Sequence, residues 1–188
     1  MGLINILITG GARSGKSRYA QELAVRSGGP VLFVATAVAG DEEMRQRIEQ
    51  HRRARPPSWR TLEVATGVGD EIIKGIGDAR VVIVDCITML VNNIFSKYSD
   101  ATGENIDASL VEDGVNTEVN RLLECINRTQ ASFIIVTNEV GMGLVPASRM
   151  SRLYRDLLGR ANQILAEEVD EVCLMVSGLP VTIKPSAK

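Results

Sequence analysis

The octet Gly10-Gly11-Ala12-Arg13-Ser14-Gly15-Lys16-Ser17 constrains this chain more than any other feature. It satisfies the pattern G-x-x-x-x-G-K-[ST] in full, directly after the apolar run "LINILIT" and directly before a segment of helical character. Glycines at both ends let the backbone curl so that successive N–H groups converge on one point. Those groups and the following helix N-terminus supply positive potential without side-chain bulk. Lys16 adds a full charge for the β- and γ-phosphates, and the Ser17 hydroxyl is a hard oxygen suited to Mg²⁺. A strand–loop–helix unit that grips a nucleoside triphosphate is therefore the starting expectation.

Such a unit needs a parallel sheet behind it, and the sequence offers one. "PVLFVAT", "RVVIVDC", "ASFIIVTN" and "EVCLMVSG" are short, nearly continuous apolar runs, the mark of strands covered on both faces. "LPVTIKP" reads as a further short strand paired with its predecessor through Gly178. Helices are expected from Lys16 to about Ser27, from Asp41 to Arg55 ahead of Pro56-Pro57, from Leu110 to about Arg128 and from Ala147 to about Ala166. "KYSDATGENIDAS" reads as a mobile or inserted loop. The expected fold is a single α/β domain spanning residues 1–188, a RecA-like P-loop NTPase with about six or seven mostly parallel strands and helices on both faces.

Composition removes other classes. Aromatic residues are 4% of the chain and the net charge is −2, which disfavours both stacking platforms for single strands and a polyanion-binding surface. No apolar run approaches a membrane span and no signal-like leader is seen, so a cytoplasmic protein is expected. Cys86, Cys125 and Cys173 lack metal or disulfide spacing and read as buried, reduced thiols. The guanine-reading N-K-x-D motif of switch GTPases is absent.

Two further positions carry chemistry. Asp85 ends "RVVIVD", where a carboxylate can share Mg²⁺ with Ser17 or bind nucleotide; it can equally cap the next helix. His51, the only histidine, shares a helix face with Met44 and Ile48, and on that pattern it can simply be packing. Arg52, Arg53 and Arg55 follow it. Guanidiniums beside an imidazole disfavour a second positive charge there and can neutralise a phosphate under attack, which suits a nucleophile. The pattern alone leaves both readings open.

The segments "ITGGARSGKSRYA", "DEEMRQRIEQHRRARPPSWRTLE" and "IIVTNEVGMGLVPASRMSRLYRDLLGRANQILAEEVDEVCLMVSG" together resemble the bifunctional adenosylcobinamide kinase / adenosylcobinamide-phosphate guanylyltransferases of cobalamin biosynthesis, in order and over nearly the whole chain. The resemblance implies two reactions. ATP or GTP, with Mg²⁺, phosphorylates adenosylcobinamide; GMP then passes from GTP to adenosylcobinamide phosphate, releasing pyrophosphate. GMP is carried on a histidine, and the matching position is His51. Many relatives have two adjacent histidines where this chain has Gln50-His51; the spacing to Arg55-Pro56, Trp59 and Glu63 matches the second.

By the same resemblance, Lys16 and His51 are catalytic. The nucleotide is held by residues 10–17, by Thr36, Ala37 and Val38, by Arg52, Arg53, Ala54 and Arg55, and by Glu63 and Asp85. A homotrimer that binds no nucleic acid is implied. Asn138 and Glu139 either approach the substrate and sense phosphate, or only organise the "GMG" turn after them. The arginines of "SRMSRLYRDLLGR" read as a solvated or subunit-contacting helix face. Competing readings are a different P-loop small-molecule kinase in which His51 is structural, and an ATPase module that binds nucleic acid or a protein partner.

Overall fold

The computed structural model describes residues 4–40, 42–53, 55–99 and 106–186. In chain order the elements are β1 (Ile6–Gly10), α1 (Lys16–Ser27), β2 (Val31–Ala35), α2 (Glu42–Arg53), β3 (Arg60–Glu63), α3 (Val68–Gly75), β4 (Val81–Asp85), α4 (Ile87–Lys97), α5 (Ala108–Arg128), β5 (Ser132–Val136), α6 (Arg149–Glu168), β6 (Glu171–Val176) and β7 (Leu179–Lys184). One sheet contains seven strands in the order β3-β2-β4-β5-β1-β6-β7. All neighbours are parallel except β6 and β7.

Alternation along the strands divides the core into two layers. Leu7, Leu32, Val34, Val82, Val84, Phe133 and Ile135 face α3, α4, α5 and α6. Ile8, Phe33, Ile83, Ile134 and Val136 face the other way, onto Ala20 and Ala24 of α1. Both faces of β2, β4 and β5 are thus dry, which is why their sequences read as unbroken apolar runs. The β6–β7 hairpin turns through Ser177 (φ 52°) and Gly178 (φ 85°), the consecutive positive φ angles a tight two-residue hairpin demands.

Helix starts follow caps rather than hydrophobic period. Asp107 accepts from Ser109 N and Leu110 N at 3.1 Å each, so α5 begins at Ala108 and not at Leu110. Ser148 accepts from Ser151 N at 3.0 Å and starts α6 at Arg149, not at Ala147. Three elements were not anticipated. β3 is a four-residue edge strand with little apolar content, and α3 is eight residues long. α4 begins two residues beyond β4, so the two merge into a single apolar stretch. Within the expected loop "KYSDATGENIDAS", residues 100–105 lie outside the described residues, as does Asp41 at the expected start of α2.

Candidate active site

The phosphate loop joins β1 to α1 at the carboxyl end of the sheet. Gly10 has φ 144°, and a Cβ there would lie 2.6 Å from the Met175 carbonyl oxygen, so only glycine lets β6 come this close. Gly15, at φ 96°, opens α1 with no capping side chain and no acidic residue in the first turn. That helix end presents its N–H groups to an anion. Lys16 is buried and its Nζ donates to the carbonyls of Gly10 (3.0 Å) and Gly11 (2.6 Å). Ser14 is buried, its hydroxyl without a hydrogen-bond partner among the described residues, while Gly11, Ala12 and Arg13 are exposed. Gly178 N donates to Ser14 O at 2.9 Å, so the β6–β7 turn braces the loop.

Asp85, at the end of β4, gathers the other groups. Burial raises its carboxyl above the ordinary carboxylate range, opposed by a hydrogen bond from the Ser17 hydroxyl and by the charges of His51, Arg55 and Lys16. Four residues from two separate stretches of sequence, Lys16-Ser17 and His51 with Arg55, therefore act on one carboxylate. His51 belongs to the last turn of α2. Met44, Ile48 and His51 are only half-buried and none joins either core layer, so this face does not pack into the core.

Arg55 lies just beyond α2. Its guanidinium stacks on the Phe33 ring, 3.8 Å from the centroid, and its buried Nε has no hydrogen-bond partner among the described residues. Burial pulls its pKa below the ordinary arginine value, against the favourable charge of Asp85. Arg52 pairs with Glu63 at the end of β3. Arg53 instead bonds Glu49 on its own helix (3.1 Å) and is not drawn toward Asp85. Ala54 lies outside the described residues.

The ends of β2, β3 and β4 are tied together by side chains. Thr36 is fully buried; its Oγ1 accepts from Cys86 N and donates to Cys86 O, both at 2.7 Å. Its hydroxyl is therefore committed to protein, whereas Ala37 is half-buried and Val38 is 52% exposed. Asn93, on α4, donates from Nδ2 to Thr36 O (2.8 Å) and to Ala65 O (2.9 Å). Nothing in the sequence pattern marked Asn93. Its signal was only that a polar residue interrupts the apolar "ITMLVNNIF".

Beyond β5 the two readings of Asn138-Glu139 separate. Glu139 Oε1 accepts from Gly141 N at 2.6 Å, so Glu139 organises the glycine turn. Asn138 is held through its backbone alone. The arginines of α6 are not simply a solvated face. Arg152 bonds the carbonyls of Pro146 (2.9 Å) and Ala147 (2.6 Å), and Arg160 bonds Glu112 of α5 (3.2 Å).

Cys125 and Cys173 are buried, but Cys86 is only half-buried, beside Asp85. Burial pushes all three thiols up to about 11, so they stay protonated at neutral pH. A separate cavity of about 900 Å³, lined by Lys97, Tyr98, Arg149, Met150 and Leu153 among others, includes none of these site residues. Among the described residues no group of three or more His, Cys, Asp or Glu could hold a metal, and no helix is long and apolar enough to cross a membrane. Two oxygen donors, Ser17 and Asp85, still suit Mg²⁺, which draws most of its ligands from phosphates and water.

One strand, β5, separates the phosphate-loop strand from the strand that carries Asp85. Together with Lys16 and Ser17 this arrangement defines a nucleotide-binding protein of the RecA-like P-loop class. Solved structures agree at the level of fold. The RadB recombinase superposes with a TM-score of 0.50 at 16% identity, over 91% of this chain and 73% of that one. A type III secretion ATPase gives 0.56 at 13% identity, over 95% and 56%.

The chain belongs to the cobinamide kinase / cobinamide phosphate guanyltransferase family, whose model matches residues 6–183. It is 44% identical to the bifunctional adenosylcobalamin biosynthesis protein CobU of Escherichia coli K12, over 95% of this chain and 99% of that protein. The Salmonella typhimurium CobU is 41% identical over 95% and 99%. The Pseudomonas aeruginosa bifunctional protein CobP is 39% identical over 95% and 96%.

Proposed function

We propose that this chain performs both reactions in the family's name, in one site of one domain spanning residues 1–188. It phosphorylates adenosylcobinamide with ATP or GTP, then transfers GMP from GTP onto the product through a covalent GMP on His51. The observation that carries this reading is that the phosphate loop, through Ser17 and Lys16, and the α2 end, through His51 and Arg55, act electrostatically on the same buried carboxylate, Asp85. His51 is half-buried and joins neither core layer, so packing of α2 does not account for it.

In the first reaction the phosphate-loop N–H groups and Lys16 hold the triphosphate; the acceptor hydroxyl attacks the γ-phosphorus, the bond from that phosphorus to the β–γ bridging oxygen breaks, and the nucleoside diphosphate and the hydroxyl proton leave. Ser17 and Asp85 would hold Mg²⁺, which neutralises charge on the phosphate oxygens when bound. In the second, an unprotonated His51 nitrogen attacks the α-phosphorus of GTP. The P–N bond forms, the bond from that phosphorus to the bridging oxygen breaks, and pyrophosphate leaves. A phosphate oxygen of adenosylcobinamide phosphate then attacks the same phosphorus, breaking the P–N bond and restoring the imidazole.

Arg55 is placed to neutralise charge on the α-phosphate, and its orphaned Nε is a donor awaiting an acceptor. In this reading Glu63 contacts the guanine nucleotide and the segment 36–38 lies near it. A cytoplasmic homotrimer that binds no nucleic acid completes the reading.

The test is product analysis with adenosylcobinamide, GTP and Mg²⁺. Wild type should yield adenosylcobinamide-GDP and pyrophosphate. His51→Ala should stop at adenosylcobinamide phosphate. Full conversion by the variant would remove His51 from the chemistry.

A further inference from the structure

Resting on the two-reaction reading, we propose that Asn138 is a catalytic residue of the kinase reaction alone, contacting the acceptor hydroxyl and the γ-phosphate. Its position carries the argument. In the sheet register Val136 lies between Asp85 on β4 and Ile8 on β1, and Asn138 follows two residues later. Ile134 and Val136 face α1, so continued alternation puts Asn138 on that face too. Asp85 shares the parity of Val81 and Ile83, which also face α1. Asn138 thus stands between the phosphate loop and Asp85, on the face where Ser17 meets Asp85.

The backbone there is held from every side. Thr137 N donates to Ile8 O (2.9 Å) and Glu139 N to Gly10 O (3.0 Å), which fastens the segment to the start of the phosphate loop. Asn138 N donates to Thr88 Oγ1 (2.8 Å), and its carbonyl accepts from Asn162 Nδ2 (3.0 Å). Asn162 Oδ1 in turn accepts from Thr137 Oγ1 (2.7 Å), and Tyr154 OH donates to Thr88 O (3.0 Å). Two hydrogen bonds to its own backbone and two to the neighbouring backbone groups thus fix a half-buried residue whose side-chain amide makes no hydrogen bond among the described residues. A fixed primary amide offers both an acceptor for a hydroxyl proton and a donor for a phosphate oxygen.

The sheet order separates the two reactions in space. Arg55 stacks on Phe33 of β2, and Arg52, next to His51, pairs with Glu63 at the end of β3, on one side of Asp85, whereas Asn138 follows β5, which lies beside β1. Gly10, to which the Asn138 segment is fastened through Glu139 N, and Gly11 accept from the Lys16 amine that serves the β- and γ-phosphates. Attack at the γ-phosphorus therefore falls to the Asn138 side and attack at the α-phosphorus to the His51 side.

The experiment compares wild type, Asn138→Ala and Asn138→Asp in three assays with Mg²⁺. These are transfer of label from the γ-phosphorus of GTP to adenosylcobinamide, labelling of the protein from the α-phosphorus of GTP, and GTP affinity. The expected result is a fall of about 10²-fold in the kinase kcat. Protein labelling, GTP affinity and Tm should stay near wild type. An unchanged kinase rate would overturn the proposal. So would an equal fall in both reactions with a lowered Tm, which would make Asn138 a strand-end fitting. Wild-type enzyme that leaves adenosylcobinamide unphosphorylated would overturn the underlying two-reaction reading instead.

Discussion

The Thr36 hydroxyl closes both ways on the Cys86 peptide, accepting from its N–H and donating to its carbonyl, each at 2.7 Å. This clasp holds the strand end that presents Asp85. Thr36→Val keeps the shape and removes both bonds; Thr36→Ser keeps both. The valine variant should need about 10-fold more Mg²⁺ for half-maximal GTP binding, and the serine variant should match wild type. Titrating GTP affinity against Mg²⁺ checks this, and equal behaviour of the two variants would show that the clasp does not position Asp85.

Asp85 should cost stability when it is charged. Its carboxyl is raised in the folded protein, chiefly by burial. Between the ordinary carboxylate range and that raised value the folded state binds more protons than the unfolded state, so stability falls as pH rises through this window. Asp85→Asn should therefore raise Tm at neutral pH by about 2–4 °C for each kcal/mol relieved. The gain should vanish below the ordinary carboxylate range, where wild type is neutral as well. Mg²⁺-dependent phosphoryl transfer should be lost at every pH. Calorimetry of both proteins across pH measures the first effect and kinase assays the second.

Arg55 should matter through its plane as well as its charge. Stacked on Phe33 with a free Nε, it can neither be shortened nor made a point charge without losing the fork. Arg55→Lys should slow protein labelling from the α-phosphorus of GTP by about 10²–10³-fold, with a smaller effect on the kinase rate. Equal loss in the two half-reactions would argue that Arg55 supports the fold rather than the α-phosphate.

Glu118 offers a control remote from the chemistry. Buried in α5, its carboxylate accepts from Gly67 N (2.6 Å) and Val68 N (3.2 Å) and so satisfies the start of α3. Glu118→Ala leaves two backbone donors unpaired and should cost about 1–3 kcal/mol. Denaturant titration should register this, while the affinity for GTP of the folded protein stays unchanged.

Sequence and structure agree where a residue's role is set by local chemistry. The phosphate loop was legible because glycine geometry and Lys16 act within eight residues, and β2, β4 and β5 were legible because burial on both faces leaves unbroken apolar runs. β3 was missed because an edge strand of four residues is half solvated and has no such run. Asn93 and Asn162 were illegible as site residues, since each acts through carbonyls or side chains that only the fold brings near. His51 stood between the two cases. Its helix face could be read from spacing, but its electrostatic influence on Asp85 depends on the parallel alignment of β3, β2 and β4, which only the fold supplies.

The central claim is the covalent GMP on His51. It is tested by incubating the protein with Mg²⁺ and GTP labelled at the α-phosphorus, then separating wild type and His51→Ala under denaturing conditions. The account predicts label on wild type that is lost in acid and retained in base, as a phosphoramidate is, with none on the variant. Equal labelling of both, or none on folded wild type that binds GTP, would contradict it.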